Sequence, residues 1–421
     1  MRRELLLLLA VSFAVSGKAS AQGYDFPIAD ALAATVVGTP LEHRADLPEI
    51  TLRERELVVF PDREIPDLFW YTERLRFGFL AQEEKAPLAF VIAGTGAGHD
   101  AAKARLLARM FDRIGLHVIT LPSSTYENFI VTASTTSVPG LITDDAADLY
   151  RVMRLAYQQV KDEIEVSGFH LTGYSLGAAQ SAFVAKLDET EQAFGFERVL
   201  MINPPVSLYD SALILDRMLG ENTPEGIGVF FNRMLTVFAE AYVQEEDTVR
   251  LNGDFLYSVY QRRRPSNENL QAAIGISFRL ASANMAFTSD VMTRAGYIAP
   301  KAPPLTPTTS LSEFAAVAMR STFKNYIDDL FYPHFKARQP EVTLDELIEI
   351  TSLRSIEPYL RASRKIGLMH NADDIILAPG ELEYLEQVFG SRAEIYPTGG
   401  HCGNMDHRDN VAHMIEFFRD R

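Results

Sequence analysis

The sequence runs to 421 residues and carries 56 Asp and Glu against 40 Lys and Arg, a formal charge of −16. A surface this acidic favours solubility and works against nucleic acid or anionic lipid headgroups as partners. With 47% hydrophobic residues the chain can bury one large core or two smaller ones, and its single cysteine, Cys402, excludes an intrachain disulfide.

In chain order, the first signal is for export. Arg2 and Arg3 form a positive start, Leu5 to Val15 an apolar run, and Ala19-Ser20-Ala21 a small-x-small cleavage site. That is the layout of a secretory signal peptide spanning residues 1–21, and the apolar run is too short to serve comfortably as a membrane span. Cleavage after Ala21 takes the formal charge to −18. It leaves an exported chain, periplasmic or secreted, with no transmembrane segment expected.

From about Glu54 to Pro205, short apolar runs alternate with helical patterns. Glu54–Phe60 and Glu73–Ala81 are expected as edge strands. Leu88–Ala93, His117–Leu121, Phe169–Tyr174 and Arg198–Asn203 are expected as core strands, with helices over Ala101–Ile114 and Thr143–Val160. Asp144 and Asp145 near the start of the latter suit the positive end of a helix dipole. Strands alternating with helices imply a mostly parallel sheet covered on both faces. Residues 22–205 thus form the first part of an α/β core.

The alternation stops over residues 206–356, which are expected to be a helical cap. Phe230, Phe231, Met234, Leu235, Val237, Phe238, Ala241 and Tyr242 recur at helical spacing. Ser310–Glu313 and Thr343–Glu346 both have the form of a capping box. The basic run Arg262-Arg263-Arg264 before Pro265 is expected as a solvated helix end. The strand rhythm returns over residues 357–421, with strands at Lys365–His370 and Ala393–Tyr396 and helices at Gly380–Phe389 and Val411–Arg419.

Gly173-Tyr174-Ser175-Leu176-Gly177 carries the chemistry. A strand pattern, Phe169–Thr172, precedes it and a helical one, Ala178–Ala185, follows. A serine at the apex of a tight strand-to-helix turn has its hydroxyl pushed into the open, and side chains two residues away would collide, hence the glycines. A serine hydroxyl is a poor nucleophile until a base takes its proton, so a histidine and an orienting acid are required. His401 follows Gly399-Gly400 and the strand Ala393–Tyr396, which makes it the preferred base over His407 and His413. The acid lies in Asn371-Ala372-Asp373-Asp374, at the C-terminal end of a strand, where both aspartates qualify. Cys402, His407 and His413 fit no standard metal-ligand pattern.

The Gly-rich stretch Ala93–Gly98 follows the first core strand. A dinucleotide site is excluded, because His99 stands where a third glycine belongs and the strand His117–Leu121 ends without an acid. Bare backbone N–H groups in such a loop suit an oxyanion hole, with the N–H of Thr95 and that of Leu176 as the expected pair.

In motif and in residue order, the chain resembles the α/β-hydrolase superfamily: Gly94-Thr95 after a strand, Gly173–Gly177, Asp373-Asp374, then Gly400-His401. The resemblance covers about residues 86–205 and 355–418, and helical caps between the sixth and seventh strands are common in that superfamily. It implies an α/β-hydrolase fold with a large helical cap insertion and a serine hydrolase with Ser175, Asp374 and His401 as its triad. Asp374 is favoured over Asp373 because in the superfamily the acid commonly lies three residues after a small turn residue, here Asn371. One departure is Ala93, where the superfamily usually has a histidine, and this bears on the second oxyanion donor. A small-molecule or lipid-like ester is the expected substrate, with Phe231 and Phe238 of the cap as candidates for an acyl pocket, and no metal or organic cofactor is required. The same residues could serve a peptidase, a thioesterase or an acyltransferase, and the fold could also serve a non-catalytic envelope binding protein.

Overall fold

A computed structural model describes residues 23–243 and 253–419 of the chain. The signal-peptide expectation for residues 1–21 lies outside the described residues. Eight strands form a single sheet: β1 Arg53–Leu57, β2 Leu75–Leu80, β3 Ala86–Ile92, β4 His117–Leu121, β5 Val166–Tyr174, β6 Arg198–Ile202, β7 Ile366–Asn371 and β8 Ala393–Tyr396. Their spatial order is β1-β2-β4-β3-β5-β6-β7-β8. β2 runs antiparallel to both β1 and β4, and every other pairing is parallel.

The helices that matter here are α1 Ala31–Val37, α2 Ala102–Arg113, α3 Glu127–Thr132, α4 Ile142–Val160, α5 Leu176–Glu191, α6 Leu208–Gly220, α7 Ile227–Val243, α8 Gly253–Arg263, α9 Asn267–Thr293, α10 Ser312–Arg320, α11 Phe323–Tyr326, α12 Tyr332–Arg338, α13 Leu344–Ile350, α14 Glu357–Ala362, α15 Glu381–Phe389 and α16 Arg408–Arg419. Strand β3 shows why the sheet needs cover on both faces. Leu88, Phe90 and Ile92 enter one apolar layer with α4, α5 and α15, while Ala89 and Val91 enter another with α2 and α16. A continuous apolar run is what a doubly covered parallel strand requires.

Helices α6 to α14 occupy the connection between β6 and β7. They are tied by a buried ion pair, Arg279 to Asp216 at 2.6 Å, and Asp216 also accepts from the N–H of Phe323 at 2.6 Å. Asp290, buried on α9, accepts from the N–H groups of Tyr297, Ile298 and Ala299. Unpaired, either carboxylate would be costly to bury. The Thr343 box forms, with Thr343 N–H donating to Glu346 at 2.8 Å and Glu346 N–H returning to Thr343 Oγ1 at 3.2 Å. The Ser310 box does not. Leu311 takes the capping position instead, in a helical conformation that offers no side-chain oxygen. Arg262 and Arg263 lie in the last turn of α8, as a basic helix end would.

Candidate active site

Strand β5 delivers Ser175 into a turn from which α5 departs at once. Ser175 has φ 56° and ψ −126°, outside the regions an L-residue prefers, at a cost of roughly 1–3 kcal/mol. The two glycines permit the turn for steric reasons. A Cβ on Gly173 would lie 2.3 Å from the carbonyl oxygen of Gly177, and one on Gly177 would lie 2.3 Å from that of Ile92 in β3. The serine N–H donates to Ile202 O at 2.9 Å, and its carbonyl accepts from Ala178 N–H at 3.0 Å, so both sides of the turn are fastened.

The loop after β8 is built differently. Gly399 and Gly400 have φ of 150° and 55°, and a Cβ on Gly400 would lie 2.2 Å from Ala31 O in α1. The N–H of His401 donates to Thr35 Oγ1 at 2.8 Å, also in α1. From the other side, Asp373 accepts from Gly400 N–H at 2.9 Å and Gly399 N–H at 3.2 Å. Burial pushes the Asp373 carboxyl up, and those two N–H groups pull it back. Asp373 therefore fastens the loop while its neighbour faces the histidine.

Ser175, His401 and Asp374 come together. His401 Nε2 lies 2.9 Å from Ser175 Oγ, and His401 Nδ1 lies 3.0 and 3.1 Å from the two Asp374 oxygens. Two further donors fix the carboxylate: Asn203 Nδ2 at 2.8 Å and the N–H of Ile376 at 3.2 Å. Burial works to raise the Asp374 carboxyl, but His401, with His370 and the Ile376 N–H, holds it below the usual carboxylate range. Burial likewise works to lower the His401 imidazole, and the Asp374 carboxylate overrides it, holding the ring above its ordinary value. Asn203 follows β6 with φ 48° and was not expected from sequence. Its only signal was an asparagine at a strand end, a residue type that tolerates such a backbone.

Thr95 and Leu176 both border the cavity onto which Ser175 and His401 open. A Cβ on Gly94 would lie 3.2 Å from Ser175 Cβ, so the β3–α2 loop runs hard against the serine. Leu176 opens α5, where an N–H has no partner within the helix. The cavity, of about 100 Å³, continues between the sheet and the helices above it, past Leu208, Ala212, Leu215, Phe278, Met285 and Phe331. Phe231 does not border it. Phe230, Phe231 and Met234 of α7 pack instead on a separate cluster with Leu219, Ala272 and Ile276 of neighbouring helices. The side chain of Phe238 lies outside the described residues.

The alternative histidines are not at the serine. His407 is fully buried, 3.2 Å from Asp25 Oδ1 and edge-on to Tyr24 and Phe26, and His413 sits half-buried on α16. Cys402 Sγ lies 3.9 Å from His401 Nε2. Among the described residues, one set could offer three metal ligands, Asp25, His43 and His407, with ligand atoms within 4.8 Å of one another. Asp25 is already paired with the Arg408 guanidinium, so an ion-pair cluster accounts for it. Among the described residues no helix is long and apolar enough to cross a membrane.

A sheet of this order, with a serine in a strained turn after β5, an aspartate after β7 and a histidine after β8, has the α/β-hydrolase fold. No protein-family model matches the sequence, and no curated protein matches it. Solved structures to which the chain is similar include a Pyrococcus furiosus esterase, at 10% identity and TM-score 0.40, covering 91% of this chain and 97% of that one. A siderophore hydrolase, EstB from Aspergillus fumigatus, gives 14%, 0.41, 88% and 97%, and a membrane phospholipase A described as a bacterial virulence factor gives 16%, 0.42, 87% and 86%. The fold itself is set by the strand order and connections above.

Proposed function

We propose that this chain is an exported serine hydrolase that cleaves an ester, carboxylesterase- or lipase-like, through an acyl-enzyme. The observation that carries the reading is one line of contacts: Ser175 Oγ to His401 Nε2 at 2.9 Å, and His401 Nδ1 to Asp374 at 3.0 Å. Nδ1 facing a carboxylate keeps its proton, which leaves Nε2 as the acceptor for the serine proton. Ser175 Oγ attacks the ester carbonyl carbon as that proton passes to Nε2. The N–H groups of Thr95 and Leu176 face the oxyanion, and its collapse breaks the bond to the alcohol, which leaves with the proton from Nε2. A water then repeats the sequence on the acyl-serine, releasing the acid and restoring Ser175.

The apolar cavity beside Ser175 supports a small-molecule or lipid-like ester with an apolar body. Residues 1–21 support export. The chemistry needs no metal or organic cofactor. A panel of p-nitrophenyl esters of graded chain length, with a thioester and an anilide alongside, tests the reading. Ester turnover that disappears in Ser175→Ala is the expected result. Turnover of the thioester or anilide alone would reassign the reaction, and inertness to every member would favour a binding protein on this fold.

A further inference from the structure

Asp145 is a buried carboxyl that the chemistry above does not use. It sits in the first turn of α4 and is 3% exposed, yet it forms part of the wall of the cavity that also holds Ser175, Leu176 and His401. Among the described residues bordering that cavity it is the one carboxyl, and its surroundings are otherwise mostly apolar. Its polar contacts fall on one oxygen. Oδ2 accepts from Gly140 N–H at 3.0 Å and from Ser124 Oγ at 3.2 Å, and Ser124 is held in turn by Gln180 of α5 at 2.6 Å. Among the described residues nothing bonds to Oδ1. A helix-end role accounts for Oδ2 and for the residue's place in the first turn; it does not account for a second oxygen left to an apolar cavity.

We infer that Asp145 is a specificity-determining residue of this cavity, and that the substrate is an ester whose apolar body carries a hydrogen-bond donor, hydroxyl or ammonium, that reaches Oδ1. The inference rests on the ester-cleaving reading. Burial pushes the Asp145 carboxyl up to about 8, against the pull of the Gly140 N–H, so near neutral pH it is largely the acid. In that form it can both accept and donate toward a hydroxyl, and an ammonium would draw it to the carboxylate and pair with it. A plain alkyl chain pressed against it would leave a buried polar group unsatisfied, a penalty of about ten- to a hundred-fold in affinity.

Binding is measured on the Ser175→Ala protein by calorimetry, using matched alkyl esters that are unsubstituted, hydroxylated or aminated at the end of the acyl or the alcohol chain. A hydroxyl or ammonium ester should bind about ten- to a hundred-fold more tightly than its plain counterpart. Adding Asp145→Asn should erase the preference for the ammonium ester, whereas a hydroxyl can still accept from the new NH2. The amide oxygen can keep the Gly140 and Ser124 bonds while its NH2 turns to the cavity and removes the acceptor. The hydroxyl and ammonium arms separate the two donors. Equal or tighter binding of the plain esters, or an ammonium preference that survives Asp145→Asn, overturns the inference. If the variant fails to fold, the ester series on the parent Ser175→Ala protein decides alone. Hydrolysis by the unmodified protein is read separately: a binding preference without hydrolysis removes the esterase reading and keeps the Asp145 subsite, and hydrolysis without a preference does the reverse.

Discussion

The turn that holds Ser175 and the loop that holds His401 arrive within 2.9 Å of each other by opposite means. The turn is local. Its shape follows from five consecutive residues, and the glycines at its two ends are needed because their neighbours leave no room for a Cβ. The loop is assembled from a distance. Thr35, in a helix near the other end of the chain and 366 positions away, accepts from the His401 N–H, while Asp373 fastens the glycines and Asn203 holds the carboxylate. A nucleophile can be positioned by backbone sterics alone, whereas a base that must meet both a hydroxyl and a carboxylate needs support from several directions.

If that contrast holds, the turn should tolerate loss of its hydroxyl without structural consequence. Ser175→Ala should lower kcat/KM about a million-fold, as loss of a nucleophile does in comparable sites, with the melting profile nearly unchanged. A variant retaining substantial activity would remove the serine from the mechanism. In the loop, Asp374→Asn should cost about four orders of magnitude in kcat, and Asp373→Asn only a few-fold, since one aspartate orients the ring and the other fastens the backbone. Kinetics on the pair checks this directly, and the reverse ranking would exchange their roles.

The pH profile sharpens the same distinction. The base must be neutral to accept a proton, and Asp374 holds His401 above its ordinary value. Activity should therefore fall as pH drops through that raised value, and the acid limb should lie above the ordinary imidazole range. In Asp374→Asn the residual activity should show its acid limb at lower pH. An unmoved limb would mean that another group sets it.

Smaller effects are expected where the supports are structural. Gly177→Ala forces a Cβ against the Ile92 carbonyl and should destabilise by roughly 1–3 kcal/mol, measured by denaturant unfolding. Thr35→Val removes the acceptor for the His401 N–H and should lower kcat/KM by about five-fold, equivalent to roughly 1 kcal/mol, with Thr35→Ser restoring it. Full activity in Thr35→Val would mean that the loop holds its shape without α1.

The same contrast explains what could be read from the sequence. The boundaries of β4 and of β8, Ala393–Tyr396, match the local sequence pattern, and the order of serine, aspartate and histidine along the chain matches the strands that carry them. Choosing between Asp373 and Asp374 from sequence depended on register alone. What was not legible depends on distant partners: α1 behind the histidine loop, Asn203 beside Asp374, and Asp145 in the cavity wall. None of these has a local signature of its role at the site, since each role is defined by a contact with a segment far away in the chain. The cap shows the limit from the other side. The helical pattern of α7 is genuine, but periodicity cannot tell whether a stripe faces a cavity or another helix, and its Phe230, Phe231 and Met234 pack against helices.

Intact-mass and peptide mass spectrometry after treatment with a fluorophosphonate ester bears most directly on the central claim, that Ser175 is a nucleophile activated by His401. The expected result is a single adduct on Ser175, none in Ser175→Ala, and much slower labelling in His401→Ala. No adduct on the folded protein, or an adduct on another residue with Ser175 unmodified, would contradict the claim.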